Sequence, residues 1–179
     1  LRGESSWLLT GHHLASSRER GRRRWGVLIE LPQRSIYEQF NVVYADDKTV
    51  QKLVHLSQEV RANAYCPYSQ TQVGAALLCE DGTIYTGCNV ENASYGLTIC
   101  AERTAIVKAV SEGRRYFKAM AVASNMKDYT MPCGNCRQFI LEFGPDIVVY
   151  AVGNSGQILA KRADELLPFA FTGGDLPAK

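Results

Sequence analysis

Residues 73–88 read Val73-Gly74-Ala75-Ala76-Leu77-Leu78-Cys79, then Glu80-Asp81-Gly82-Thr83, then Ile84-Tyr85-Thr86-Gly87-Cys88. Two short apolar runs flank an Asp-Gly pair, a strong local signal for two antiparallel strands joined by a two-residue turn. With Asp81-Gly82 as that turn, Glu80 faces Thr83, Cys79 faces Ile84 and Cys88 faces Ala75. Upstream, Val50, Leu53, Val54, Ser57, Val60 and Ala64 recur at helical spacing after Asp46-Asp47, so an amphipathic helix is expected from Lys48 to Asn63. Downstream, a helix is expected over Cys100–Glu112, ended by Gly113, then a buried strand over Phe117–Ala123. A second helix over Cys133–Phe143 ends at Gly144, a strand follows over Ile147–Val152, and Asn154-Ser155-Gly156 turns into Gln157-Ile158-Leu159. A hairpin followed by helix, strand, helix and strand implies one sheet covered by helices on both faces.

The chain has 179 residues, 46% hydrophobic and 21% charged, a globular composition. No apolar run approaches the roughly 18 residues of a membrane-crossing helix. The net charge of +2 is unevenly spread. Residues 1–45 hold seven Lys/Arg against four Asp/Glu, a net of +3, while residues 46–179 hold thirteen against fourteen, a net of −1. The body therefore lacks the basic footprint that a phosphate backbone requires. Residues 1–45 are expected to be a disordered or artefactual N-terminal extension, and residues 46–179 the folded domain that carries any chemistry. The Arg18–Arg24 stretch leaves organelle or nuclear targeting open beside a cytoplasmic location.

Six cysteines then have to be sorted. The hairpin register does not pair Cys79 with Cys88, and no secretory signal is visible, so disulfides are not expected. Cys66, Cys79 and Cys88 read as small buried hydrophobes. Pro132-Cys133-Gly134-Asn135-Cys136-Arg137-Gln138 is different, because it sets two thiols one turn apart at a helix start. Alone, that spacing fits half a zinc site, a redox pair or two core residues. Cys100-Ala101-Glu102-Arg103 decides between them, with a third thiol at another helix start and a carboxylate two residues on. Three thiolates leave one zinc coordination position open, as in catalytic rather than structural sites. A carboxylate that is not a ligand is what such a site needs to take a proton from water. None of His12, His13 and His55 lies near these motifs.

At these residues the sequence resembles the short, three-cysteine cytidine deaminases. The resemblance extends over Tyr65–Ser69, Val73–Ala76, Gly87–Tyr95, Cys100–Ala105, Pro132–Gln138 and Glu165–Pro168, nearly the whole body. It implies an α/β fold, a three-layer α-β-α sandwich on a mixed five-stranded sheet. It further implies one Zn²⁺ per subunit on Cys100, Cys133 and Cys136, with Glu102 carrying protons from water to ring N3 and to the departing ammonia. Arg103 would offset the negative charge of the thiolates, with Arg137 a second candidate. Asn89 and Glu91 would grip the ribose 3′-hydroxyl, Tyr95 would line the nucleoside site, and the Ala101 backbone N–H would meet the base carbonyl.

The resemblance also implies a homotetramer acting on cytidine and deoxycytidine in pyrimidine salvage. One departure stands out: by the resemblance, family members usually carry Phe where this chain has Thr71. Weaker nucleoside binding or a modified nucleoside substrate is expected there, unless Phe169 or Phe171 supplies the missing ring. A polynucleotide-editing enzyme is disfavoured by the body's net charge. A non-catalytic zinc module, closed by Cys66 or Cys88, is disfavoured by Glu102.

Overall fold

The hairpin forms in the computed structural model, which describes residues 48–177. The extension expected over residues 1–45 and the cap expected at Asp46-Asp47 lie outside these residues. Strand β1, Val73–Cys79, pairs antiparallel with β2, Ile84–Cys88. The register differs by one from the expected one: Leu78 faces Ile84 and Gly74 faces Cys88. The reason lies in the turn, which has three residues rather than two. The Gly82 N–H donates to the Cys79 carbonyl at 3.1 Å, and the Cys79 N–H donates to the Thr83 carbonyl at 2.9 Å. Asp81 Oδ1 accepts from the Thr83 N–H at 2.9 Å, and Gly82 takes φ +86°, the left-handed position that closes a three-residue loop. A slip of one residue exchanges the faces of a strand. Tyr85 and Gly87, not Ile84 and Thr86, therefore lie on the same face as Leu77. Cys79 and Cys88 remain unpaired with each other, and all six cysteines are free thiols.

Helix α1, Lys48–Val60, continues into a 3₁₀ turn, Arg61–Asn63. After the hairpin come α2, Ala101–Ser111, and β3, Phe117–Ser124. Helix α3, Gly134–Leu141, β4, Val148–Val152, β5, Ile158–Arg162, and the short α4, Ala163–Leu166, complete the order. The sheet order is β2-β1-β3-β4-β5, with β3 and β4 parallel and the other neighbours antiparallel. This is the mixed five-stranded sheet expected.

Strand alternation sorts the core into two layers. Ala75, Leu77, Met120, Val122 and Val149 meet Ala105, Ile106 and Ile140 of α2 and α3. On the other face, Ala76, Ala119 and Ala121 meet Leu53 of α1. The small residues let the helices approach closely. At Gly87 a Cβ would lie 2.4 Å from the Ala105 nitrogen and 2.6 Å from the Ala101 carbonyl oxygen, so β2 touches the backbone of α2 directly. That contact fixes where the first turn of α2 sits. Among the described residues no helix is long and apolar enough to cross a membrane.

Candidate active site

Cys100 and Cys133 are the N-cap residues of α2 and α3, both with extended backbone and neither capped by a side chain. The unpaired N–H groups of two helix starts thus converge on the thiols, a field that favours thiolate. Cys136 lies one turn into α3 and is buried, while Cys133 is exposed and Cys100 half-buried. The three sulfurs lie within 4.8 Å of one another, with Cys100 Sγ and Cys133 Sγ 3.8 Å apart. Among the described residues no fourth His, Cys, Asp or Glu joins the group. Cys79 is buried as expected, but Cys66 and Cys88 are only half-buried: Cys66 lies in the exposed Tyr65–Ser69 loop, and Cys88 ends β2 with its thiol donating to the Asn63 carbonyl at 3.4 Å. The donor set suits a divalent, thiophilic ion with one position left for water.

The electrostatics agree with that reading. A hydrogen bond from the Cys136 thiol, aided by the Arg103 guanidinium, draws the Cys100 pKa down to about 5. The same shared proton, with burial, pushes the Cys136 thiol up. A cation between the sulfurs would take the place of these protons. Arg103 Nη2 donates to the Thr98 carbonyl at 2.9 Å and to Cys100 Sγ at 3.7 Å, and its buried Nε has no partner. Arg137 does not act on sulfur. Its Nε donates to the Pro132 carbonyl at 2.9 Å and its Nη1 to the Leu166 carbonyl at 3.1 Å, so it ties α4 to the loop entering α3.

Glu102 is 3% exposed, on the turn of α2 next to Ala101, which is wholly buried. Burial raises its pKa to about 7, partly opposed by a hydrogen bond from its own backbone N–H and, less, by one with Cys136. A carboxyl in that condition exchanges protons near neutral pH.

A cavity of about 210 Å³ is lined by Tyr68, Ser69, Glu91, Tyr95 and Thr98, and Thr98 connects it to the thiols, because its carbonyl accepts from the same Arg103 Nη2 that donates to Cys100 Sγ. Glu91, three residues past the end of β2, is held by loop 67–70. Its Oε2 accepts from the Tyr68 N–H at 2.9 Å and the Ser69 N–H at 3.2 Å, and the Ser69 hydroxyl donates to Oε1. The Ser69 hydroxyl, then the backbone amides, hold its pKa below the usual carboxylate range. Asn89 is buried, with Oδ1 accepting from the Val73 N–H at 2.8 Å and Nδ2 donating to the Thr71 carbonyl at 2.8 Å. Tyr95 is 75% exposed and its ring lies 6.0 Å from that of Tyr68. Phe169 and Phe171 both face solvent. The role of Ser69 in holding Glu91 carries no local sequence signal, since it depends on contact across 22 residues.

Residues 47–152 match the family described as the cytidine and deoxycytidylate deaminase zinc-binding region. The chain belongs to this family. The cytidine deaminase of Sporosarcina psychrophila is 52% identical over 128 residues, covering 71% of this chain and 94% of that one. A probable cytidine deaminase of Dictyostelium discoideum is 49% identical over 135 residues, 75% of this chain and 91% of the other. Among solved structures, the cytidine deaminase of Burkholderia pseudomallei superposes with a TM-score of 0.66 at 44% identity, over 68% of this chain and 98% of that one. This deaminase therefore carries a zinc-binding domain, and Cys100, Cys133 and Cys136 are the residues positioned to hold the ion.

Proposed function

We propose that this deaminase hydrolyses the amino group of cytidine and deoxycytidine, giving uridine or deoxyuridine and ammonia. The observation that carries this reading is the buried Glu102 beside three thiols at two helix starts. Zinc, when bound there with one position open, makes water nucleophilic at neutral pH. Glu102 takes one proton of the attacking water as the water oxygen bonds to C4 of the base, and passes that proton to ring N3. It then carries the remaining hydroxyl proton to the amino group as the C4–N bond breaks and ammonia leaves, N3 keeping its proton in the uracil ring. One water is consumed for each ammonia released.

The chain's own groups place the substrate. Ala101, first in α2, offers its N–H to the base carbonyl. Asn89 retains one N–H and one lone pair beyond its two backbone bonds, and with Glu91 receives the ribose 3′-hydroxyl. Tyr95 and Tyr68 form the wall of the sugar site. Arg103 offsets the charge of the thiolates.

The enzyme acts as a homotetramer with one zinc per subunit, in cytoplasmic pyrimidine salvage. Two features support these assignments. Tyr65, Tyr68, Val90, Tyr95, Leu97 and Ile99, on or next to the rim of the cavity, are all exposed in the single chain, an apolar surface that a neighbouring copy would cover. A chain whose described cysteines are all free thiols also suits a reducing compartment. The test is ultraviolet-monitored turnover of cytidine, deoxycytidine and adenosine. Loss of the two cytosine nucleosides with adenosine untouched is expected; turnover of adenosine alone would overturn the reading.

A further inference from the structure

Ser69 lines the nucleoside cavity, and two asparagines hold the segment Gln70–Val73 that follows it. Asn89 takes the Thr71 carbonyl and the Val73 N–H. Asn125, directly after β3, takes the alternate groups: its Oδ1 accepts from the Gln72 N–H at 3.1 Å, and its Nδ2 donates to the Gln70 carbonyl at 3.1 Å. The Asn125 N–H also donates to the Gln72 carbonyl at 3.2 Å, which extends the β1–β3 ladder past its last pair, Val73 with Ser124. Gln70 sits at φ +57°, a left-handed conformation that a residue with a Cβ holds only when its surroundings impose it. The Asn125 amide supplies part of that imposition, because it grips Gln70 itself.

We infer that Asn125 is a positioning residue for nucleoside binding, holding Ser69–Gln72 so that the Ser69 hydroxyl and N–H hold the Glu91 carboxylate in place. The inference rests on the proposed nucleoside reaction. The chain of contacts is continuous: Asn125 to Gln70 and Gln72, Ser69 to Glu91. The Ser69 hydroxyl additionally accepts from the Thr71 N–H at 3.0 Å, so a shift at Gln70–Gln72 moves the group that grips Glu91. Asn125 makes no hydrogen bond to Glu102 or to the three cysteines, so its effect belongs to binding and not to the chemical step.

The test is Asn125→Ala, read by cytidine kinetics, zinc content and hydrogen exchange at the Thr71–Val73 amides. Loss of the two side-chain bonds that fix Gln70 and Gln72 predicts a KM rise of about 3- to 10-fold. We expect kcat within 2-fold, zinc unchanged and faster exchange at Gln72. Combined with Ser69→Ala, the KM effects should be less than additive, since both act through the same wall. The inference fails if KM is unchanged in an active enzyme, if the two effects multiply independently, or if kcat and zinc content fall together. Failure of the wild-type enzyme to turn over cytidine would instead remove the functional reading, and this inference with it.

Discussion

Thr71 sits where the resemblance leads one to expect an aromatic ring, yet its backbone is fully engaged. Its N–H goes to Ser69 Oγ and its carbonyl receives Asn89 Nδ2, so the loop is built correctly around a side chain too small to stack. Base stacking is worth on the order of 1–3 kcal/mol. Thr71→Phe should lower KM for cytidine by about 5-fold or more with kcat little changed, measured by steady-state kinetics. An unchanged KM would mean that another ring does the work in the assembled enzyme. The clustering of the three thiols and the place of Glu102 beside them were legible at this scale, because a helix start that places a thiol and a carboxylate two residues apart is a local pattern. Arg137 was misread for the converse reason. Its carbonyl partner Leu166 lies 29 residues away, and nothing local announces it.

At the scale of elements, the position of the site depends on how closely α2 meets the hairpin. Gly87→Ala would drive a Cβ into the Ala101 carbonyl and the Ala105 nitrogen. A loss of about 1–3 kcal/mol is expected from overpacking, together with weaker zinc retention, because the displaced turn carries Cys100 and Glu102. Urea unfolding and zinc competition with a chelator measure the two effects. Loop 67–70 depends on the Glu91 carboxylate, whose pKa is lowered in the folded state by the Ser69 hydroxyl and two amides. A lowered folded pKa adds stability that is complete above the unfolded value of about 4.3 and is lost as the pH falls through the folded one. The stability difference between wild type and Glu91→Gln should therefore narrow as the pH is taken from 7 to 3. Urea midpoints across that range test it, and a gap that widens in acid would contradict it. Element types and order were readable from apolar periodicity and from Gly113 and Gly144. The hairpin register was not, because Asp81 selects a three-residue loop by bonding Thr83, and Asp-Gly alone fits both turns.

For the whole molecule, the two-sided sheet follows from strands that are apolar on both faces, and β3, buried from Ala119 to Ser124, is its centre. Strand order needed the structure, since the β1–β3 pairing spans about fifty residues of chain that includes a whole helix. The exposed rings and aliphatic residues around the cavity point to a partner surface. Light scattering should give a tetramer, and Leu97→Asp should shift it toward smaller species while raising KM; a monodisperse, fully active monomer would contradict that assembly. The most direct test of the account is Glu102→Gln beside the wild-type enzyme, with cytidine turnover and zinc content measured on the same samples. One zinc per subunit is predicted in both, with kcat reduced by about 10²-fold or more in the variant, as expected for loss of a proton carrier. A variant that keeps its zinc and still turns over cytidine at close to the wild-type rate would contradict it.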